Sequence, residues 1–88
     1  MEKAEFIWHS GKFVPWDEAQ VHVLSHGLHY GTGVFEGVRC YDGDQGPAIF
    51  RHTDHVNRLF QSAQMYYLDL PYAKEEIAEA TRELLRKN

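Results

Sequence analysis

The chemistry-bearing side chains are densest in a run of seventeen residues, 25–41. It reads Ser25-His26-Gly27-Leu28-His29-Tyr30-Gly31-Thr32-Gly33-Val34-Phe35-Glu36-Gly37-Val38-Arg39-Cys40-Tyr41. Four glycines, Gly27, Gly31, Gly33 and Gly37, fall within eleven positions and alternate with large rings. Glycine permits positive φ and lets another backbone or a ligand come close. Tyr30 and Phe35 stand where a pocket needs walls, and Glu36 and Arg39 place charge beside them. Tight turns in a twisted sheet account for two of these glycines. The other two point to close approach of a ligand or a second subunit.

These glycines do not make a nucleotide loop. A dinucleotide fingerprint needs G-x-G-x-x-G between a strand and a helix. Here Gly31-x-Gly33 is followed by glycine at 37, one position too late, and no Gly-Lys-Ser/Thr follows. Downstream, Arg58 lies beside an apolar stripe rather than in it. Its guanidinium either pairs with Asp54 one turn away, which contributes little, or holds a phosphate through paired hydrogen bonds. The residues alone leave both readings open.

The histidines also have ligand spacings: His22 and His26, His26 and His29, and His52 and His55. With Glu36 or Asp54 as a third ligand, such a pair suits zinc. No His-Glu-x-x-His occurs, and glycines break the run from 22 to 29. Ordinary polar contacts are the preferred reading, and no metal is expected. Cys40 is the only cysteine, so no internal disulfide can form, which fits a reducing compartment. It is expected as a small buried hydrophobe. A thiol nucleophile would need His29 or His52 as its base.

His29-Tyr30-Gly31 with Val34-Phe35-Glu36-Gly37-Val38-Arg39-Cys40-Tyr41 resembles the opening signature of the branched-chain amino acid aminotransferases. These are fold-type IV pyridoxal-phosphate enzymes. Phe50-Arg51-His52, His55 and Arg58-Leu59 match a second motif in the same order. The resemblance covers nearly the whole chain but only the opening part of the family's length. It implies that residues 1–88 form the N-terminal small domain, with the lysine-bearing second domain absent. It implies pyridoxal 5'-phosphate as cofactor, with Arg58 on its phosphate. Phe35 and Gly37 would line the pocket for the substrate side chain, Tyr30 would reach across a dimer, and Arg39 would sit beside the substrate-facing strand. Amino acids and 2-oxo acids would be the substrates, in a homodimer or higher homo-oligomer.

The same resemblance leaves no catalytic residue in this chain. Transamination needs a lysine that bonds the cofactor covalently and shuttles a proton. Lys3, Lys12, Lys74 and Lys87 all stand at polar positions, and none lies in the family's lysine motif. The whole enzyme would move the amino group of leucine, isoleucine or valine to 2-oxoglutarate. Relatives of the same fold type act on D-amino acids or aminodeoxychorismate, and the run from Phe35 to Tyr41 favours the branched-chain branch. The competing reading is a non-catalytic module that oligomerises and binds partners or metabolites.

The elements that must position these residues follow from spacing. Phe6-Ile7-Trp8-His9 and Lys12-Phe13-Val14-Pro15-Trp16 flank Ser10-Gly11 and predict a hairpin, with Trp8 and Trp16 packing on a core. Residues 17–20 predict a helical turn and Val21–Leu24 a short strand. Val34–Tyr41 and Ala48–Arg51, around the turn residues 42–47, predict a second hairpin. Val56, Leu59, Phe60, Ala63, Tyr66 and Tyr67 recur at helical spacing after a Thr53 N-cap, ending before Pro71. Residues 73–87 predict a final helix with Ile77, Ala80, Thr81, Leu84 and Leu85 on one face and a Glu83–Lys87 pair. The fold class is α+β: an antiparallel sheet of hairpins with two C-terminal helices packed on one side.

Composition agrees with a small globular domain. Apolar residues make up 43 %, which excludes a disordered chain. Net charge is 9 − 13 = −4, which argues against a nucleic-acid partner. Arg82, Arg86 and Lys87 form the one basic cluster and complement a helix C-terminus. No run approaches the roughly 20 apolar residues of a membrane span, and the first residues lack the features of a signal peptide. The expected compartment is the cytoplasm. At 88 residues the chain buries only about 60–65 % of its unfolded surface. Unpartnered apolar surface would then lead to self-association.

Overall fold

The computed structural model describes residues 2–88; the expected domain bounds include Met1, which lies outside them. Strands β1 (Phe6–His9) and β2 (Lys12–Pro15) pair antiparallel, with Ile7 opposite Val14 and Trp8 opposite Phe13. Ser10 and Gly11 both take positive φ, 52° and 85°. That is the type I′ geometry matching the strand twist, so the first hairpin forms as its turn residues dictate. Residues Trp16–Glu18 then make one turn of 3-10 helix.

No strand forms at 21–24. Val21, Val23 and Leu24 are exposed, and the backbone turns there through Ser25 N–H donating to the His22 carbonyl at 2.9 Å. An alternating pattern makes a strand only if a neighbour offers a ladder, and none does. The chain instead enters a short helix, α1 (His26–Tyr30), which ends on left-handed Gly31 with φ 67°. A Cβ on Gly27 would stand 3.0 Å from the Thr32 carbonyl oxygen. Local backbone therefore explains Gly27 and Gly31.

Strands β3 (Cys40–Gly43) and β4 (Gly46–Ile49) form the second hairpin. Its ladder runs into the turn signal and leaves only Asp44-Gln45 as the loop, with Gly46 at φ 105°. Pro47 is tolerated opposite Asp42 because a two-stranded ribbon has only edges. Residues 34–39 lack ladder partners apart from the Arg39 carbonyl, which accepts from Phe50 N–H at 2.9 Å. The hairpins are two separate ribbons. Both faces of β3 stay open, so Cys40 is exposed and not the buried hydrophobe that a lone cysteine predicts.

Helix α2 (His52–Met65) supplies the core, Val56 and Ala63. Arg51, not Thr53, caps it: Arg51 turns left-handed (φ 50°, ψ 43°) directly after the ribbon, so Thr53 is already helical. The far end closes before Tyr66. Tyr67 N–H donates to the Gln64 carbonyl at 3.1 Å and Leu68 N–H to the Ala63 carbonyl at 2.9 Å. These two bonds make a Schellman closure, with Tyr67 at φ 56° as its left-handed residue. Tyr66 and Tyr67 consequently leave the stripe and are exposed.

Helix α3 (Lys74–Lys87) packs on α2 and on β1. Ile77, Ala80, Thr81 and Leu84 are half-buried along one face. Tyr72 meets Trp8 edge-on, with ring centroids 5.0 Å apart. Glu83 pairs with Arg86 at 2.8 Å rather than with Lys87, whose ammonium lies over the Phe6 and Phe13 rings at 5.6 and 5.0 Å. Desolvated ring faces attract that cation more than an exposed carboxylate does. Asn88 then clamps the helix to β1: its Oδ1 accepts from Phe6 N–H at 2.8 Å, and its Nδ2 donates to the Phe6 and Leu84 carbonyls, each at 3.0 Å.

The result is an α+β unit with its surface unfinished. It exposes 7371 Å², where a compact protein of this mass exposes about 5,400 Å². The excess is comparable to a substantial protein interface. The Cα radius of gyration, 14.2 Å, likewise exceeds the value of about 12 Å for a compact chain of this length.

Candidate functional site

The segment from Gly31 to Gly37 has no regular secondary structure and alternates strictly in exposure. Thr32, Val34 and Glu36 face the protein, whereas Gly31, Gly33, Phe35 and Gly37 face outward. Phe35 is 88 % exposed. Neither Gly33 nor Gly37 has positive φ, and a Cβ on either would meet nothing within 4 Å. Their need for glycine therefore does not arise from contacts among the described residues. Tyr30, at the end of α1, is exposed beside this face, and its ring lies 4.6 Å from that of His26.

The inward Glu36 joins this segment to α2. Arg58 Nε donates to both of its carboxylate oxygens, at 2.8 and 3.0 Å. His55 Nδ1 lies 2.9 Å from Oε1 and donates to it. The Glu36 side chain is only 12 % exposed and that of Arg58 is 64 % exposed. Hydrogen bonds from His55 and then Arg58 hold the Glu36 carboxyl below the usual carboxylate range, against the opposing effect of burial. The pair with Asp54 that helical spacing allows for Arg58 does not form. Asp54 lies 2.8 Å from Arg51 Nε instead.

Arg58 therefore uses one of its five N–H donors, and its terminal nitrogens have no partner among the described residues. With Arg51, Asp54 and His55 it lines a small cavity of about 160 Å³. Paired and forward-facing guanidinium nitrogens of this kind suit a phosphate or carboxylate. Three larger clefts lie elsewhere, one of them, of about 440 Å³, between α2 and α3. Another of about 480 Å³ runs between β4 and α3, where Arg82 and Arg86 are bound to Glu79 and Glu83. The third, of about 570 Å³, lies at the C-terminal end of α2.

Of the residues singled out by sequence, Tyr30, Phe35, Gly37 and Arg39 lie on or next to the glycine-rich segment. Arg58 is brought to that segment through Glu36. Glu36 was legible as a charge beside a pocket or a third metal ligand but not as the partner of His55 and Arg58, which are 19 and 22 residues away. Two histidines make local contacts: His22 Nδ1 accepts from Leu24 N–H at 3.0 Å, and His29 Nε2 donates to the Val23 carbonyl at 2.8 Å. His52 Nε2 is buried without a partner among the described residues. Among the described residues no three His, Cys, Asp or Glu side chains converge. All four lysines are exposed.

The structure thus presents a small α+β unit in which an arginine with unused donors stands beside an aromatic and glycine-lined face. The sequence pattern of the amino-transferase class IV family matches residues 33–88, and the chain belongs to that family. It is 51 % identical over 87 residues to the branched-chain-amino-acid aminotransferase of Escherichia coli (strain K12), covering 99 % of this chain and 28 % of that protein. Its identity to the Pseudomonas aeruginosa enzyme of the same name is 55 % over 82 residues, covering 93 % and 27 %.

Solved structures agree. The E. coli branched-chain amino acid aminotransferase superposes with TM-score 0.95 at 51 % identity, over 98 % of this chain and 29 % of that one. The T.th. branched-chain amino acid aminotransferase complexed with N-(5'-phosphopyridoxyl)-L-glutamate superposes with TM-score 0.96 at 51 % identity, over 100 % and 30 %. This chain thus spans under a third of the length of the relatives it matches.

Proposed function

We propose that residues 1–88 are the N-terminal small domain of a branched-chain-amino-acid aminotransferase. The whole enzyme moves the amino group of leucine, isoleucine or valine to 2-oxoglutarate on pyridoxal 5'-phosphate, in the cytoplasm. The observation that carries this reading is Arg58. It presents four unused N–H donors at a small cavity and is tied by Glu36 to the segment bearing Phe35 and Gly37. That donor set fits the dianionic phosphate of the cofactor.

When bound, the cofactor supplies the electron sink that amino-group exchange requires. This chain's part is to bind and orient. Arg58 anchors the phosphate, and the outward Phe35 ring beside Gly37 walls off the apolar substrate side chain and keeps water from it. Tyr30 reaches the pocket of a second subunit in a homodimer or larger homo-oligomer, and Arg39 stands beside the substrate. The proton-shuttling lysine lies in a second domain, and Lys3, Lys12, Lys74 and Lys87 are all exposed here. The 7371 Å² of exposed surface supports partners on several faces.

Steady-state assays of the complete enzyme across L- and D-amino acids test this reading. Turnover of L-leucine, L-isoleucine and L-valine with 2-oxoglutarate is expected. A preference for D-alanine would overturn the substrate assignment. Borohydride trapping of the 88-residue chain with pyridoxal phosphate tests the division of labour, and a stoichiometric adduct on one of its lysines would refute it.

A further inference from the structure

We propose that Glu36 is a positioning residue for the cofactor: braced by His55, its carboxylate fixes the Nε edge of Arg58 so that the terminal guanidinium nitrogens are aimed at the phosphate. This inference rests on the assignment of Arg58 to the phosphate made above.

Four observations carry it. Both Glu36 oxygens lie within 3.0 Å of Arg58 Nε, so the carboxylate addresses the side of the guanidinium nearest the helix and leaves the outer nitrogens unused. Glu36 makes the only side-chain hydrogen bonds found between residues 31–39 and α2 among the described residues. Its carboxylate, on a side chain only 12 % exposed, is the fixed partner and the exposed arginine the movable one. The second acid nearby, Asp54, is already engaged by Arg51 and does not compete.

An exposed arginine without this brace samples many rotamers, and ordering it on a ligand lowers affinity. A side chain already held in its binding geometry avoids that loss. Because Glu36 lies between Phe35 and Gly37, the same contact sets the phosphate anchor in register with the segment proposed to face the substrate.

The test compares dissociation constants for pyridoxal 5'-phosphate and for pyridoxal, which lacks the phosphate. They are measured on complete enzymes carrying Glu36→Gln, Arg58→Ala and both changes. Glu36→Gln is expected to weaken pyridoxal phosphate about 5- to 10-fold, leave pyridoxal unchanged and shift the phosphorus-31 resonance of the bound phosphate. In the Arg58→Ala background it should add no further loss. If Arg58→Ala leaves pyridoxal phosphate as tight as in the wild type, the assignment of Arg58 itself fails. If Arg58→Ala weakens it but Glu36→Gln changes neither affinity nor resonance, the positioning role alone is overturned. Equal loss for pyridoxal and its phosphate also overturns it, because that marks a general structural effect. Should Glu36→Gln not fold, Glu36→Asp keeps the charge but is one methylene short of Arg58 and is read the same way.

Discussion

Arg58 and Glu36 are 22 residues apart and meet through both oxygens of one carboxylate, at 2.8 and 3.0 Å. This contact joins the segment rich in glycine and aromatic residues to helix α2. It places the positive charge on the outside and the negative charge on the inside of the site. Acid should loosen it. Glu36 titrates below the ordinary carboxylate range because of His55 and Arg58, so the unfolded chain takes up its proton first as pH falls. The stability this contributes is complete above the usual glutamate value of about 4.3 and is lost as pH falls through the lower folded value.

His52 adds a second, earlier acid sensitivity of the same sign. Burial, then the charges of Arg82 and His55, lowers its affinity for a proton, and its buried Nε2 has no partner among the described residues. The unfolded imidazole takes up a proton near pH 6.5 while the folded one resists. Stability should therefore be full above about pH 6.5 and begin to fall below it. Urea titrations between pH 7 and 5 are expected to show a decline that His52→Gln flattens.

Tyr67 occupies a left-handed position at φ 56° and is 95 % exposed. That conformation costs a non-glycine residue about 1–2 kcal/mol, and glycine is the usual residue at this place in a Schellman closure. Tyr67→Gly should raise stability by about 0.5–1 kcal/mol, measured as a higher denaturation midpoint at unchanged slope.

Helix α3 begins with half a capping box. Glu76 Oε1 accepts from Ala73 N–H at 3.1 Å, but the alanine side chain offers nothing in return. Ala73→Ser supplies the missing oxygen and should stabilise by about 1 kcal/mol. In a double-mutant cycle with Glu76→Ala, part of that gain should disappear.

At the other end of α3, Asn88 bonds both backbone groups of Phe6 and the Leu84 carbonyl. Asn88→Ala should cost about 1–2 kcal/mol and speed hydrogen exchange at the Phe6 amide. Asn88→Asp should cost more, since it sets a negative charge against two carbonyls at the negative end of a helix.

Phe35 separates stability from function. It is 88 % exposed, so Phe35→Ala should change the stability of this unit by less than about 0.5 kcal/mol. On the proposed function it removes a pocket wall, and kcat/KM for L-leucine in the complete enzyme should fall on the order of 10- to 100-fold. Gly37→Ala should likewise leave the fold intact, since its Cβ meets nothing within 4 Å in this chain.

The features legible in the chain alone were local ones. The Ser10-Gly11 turn, the spacing of Val56, Leu59, Phe60 and Ala63, and the spacing of Ile77, Ala80, Thr81 and Leu84 each specify an element within one or two turns of chain. From these the α+β class followed. Two of the four glycines, Gly27 and Gly31, also have local causes, as turn geometry requires.

Which charged and apolar groups meet was settled by packing between distant segments. Helical spacing offered Asp54 to Arg58 and Lys87 to Glu83, yet Arg58 took Glu36 and Lys87 took two phenyl rings. Exposed ion pairs one turn apart contribute only tenths of a kcal/mol, so any better-desolvated partner displaces them, and only the tertiary arrangement reveals one. Cys40 and Val21–Leu24 show the same dependence in reverse. Their patterns suited a core and a strand, but burial and ladder bonds both need a second surface, and among the described residues none covers them.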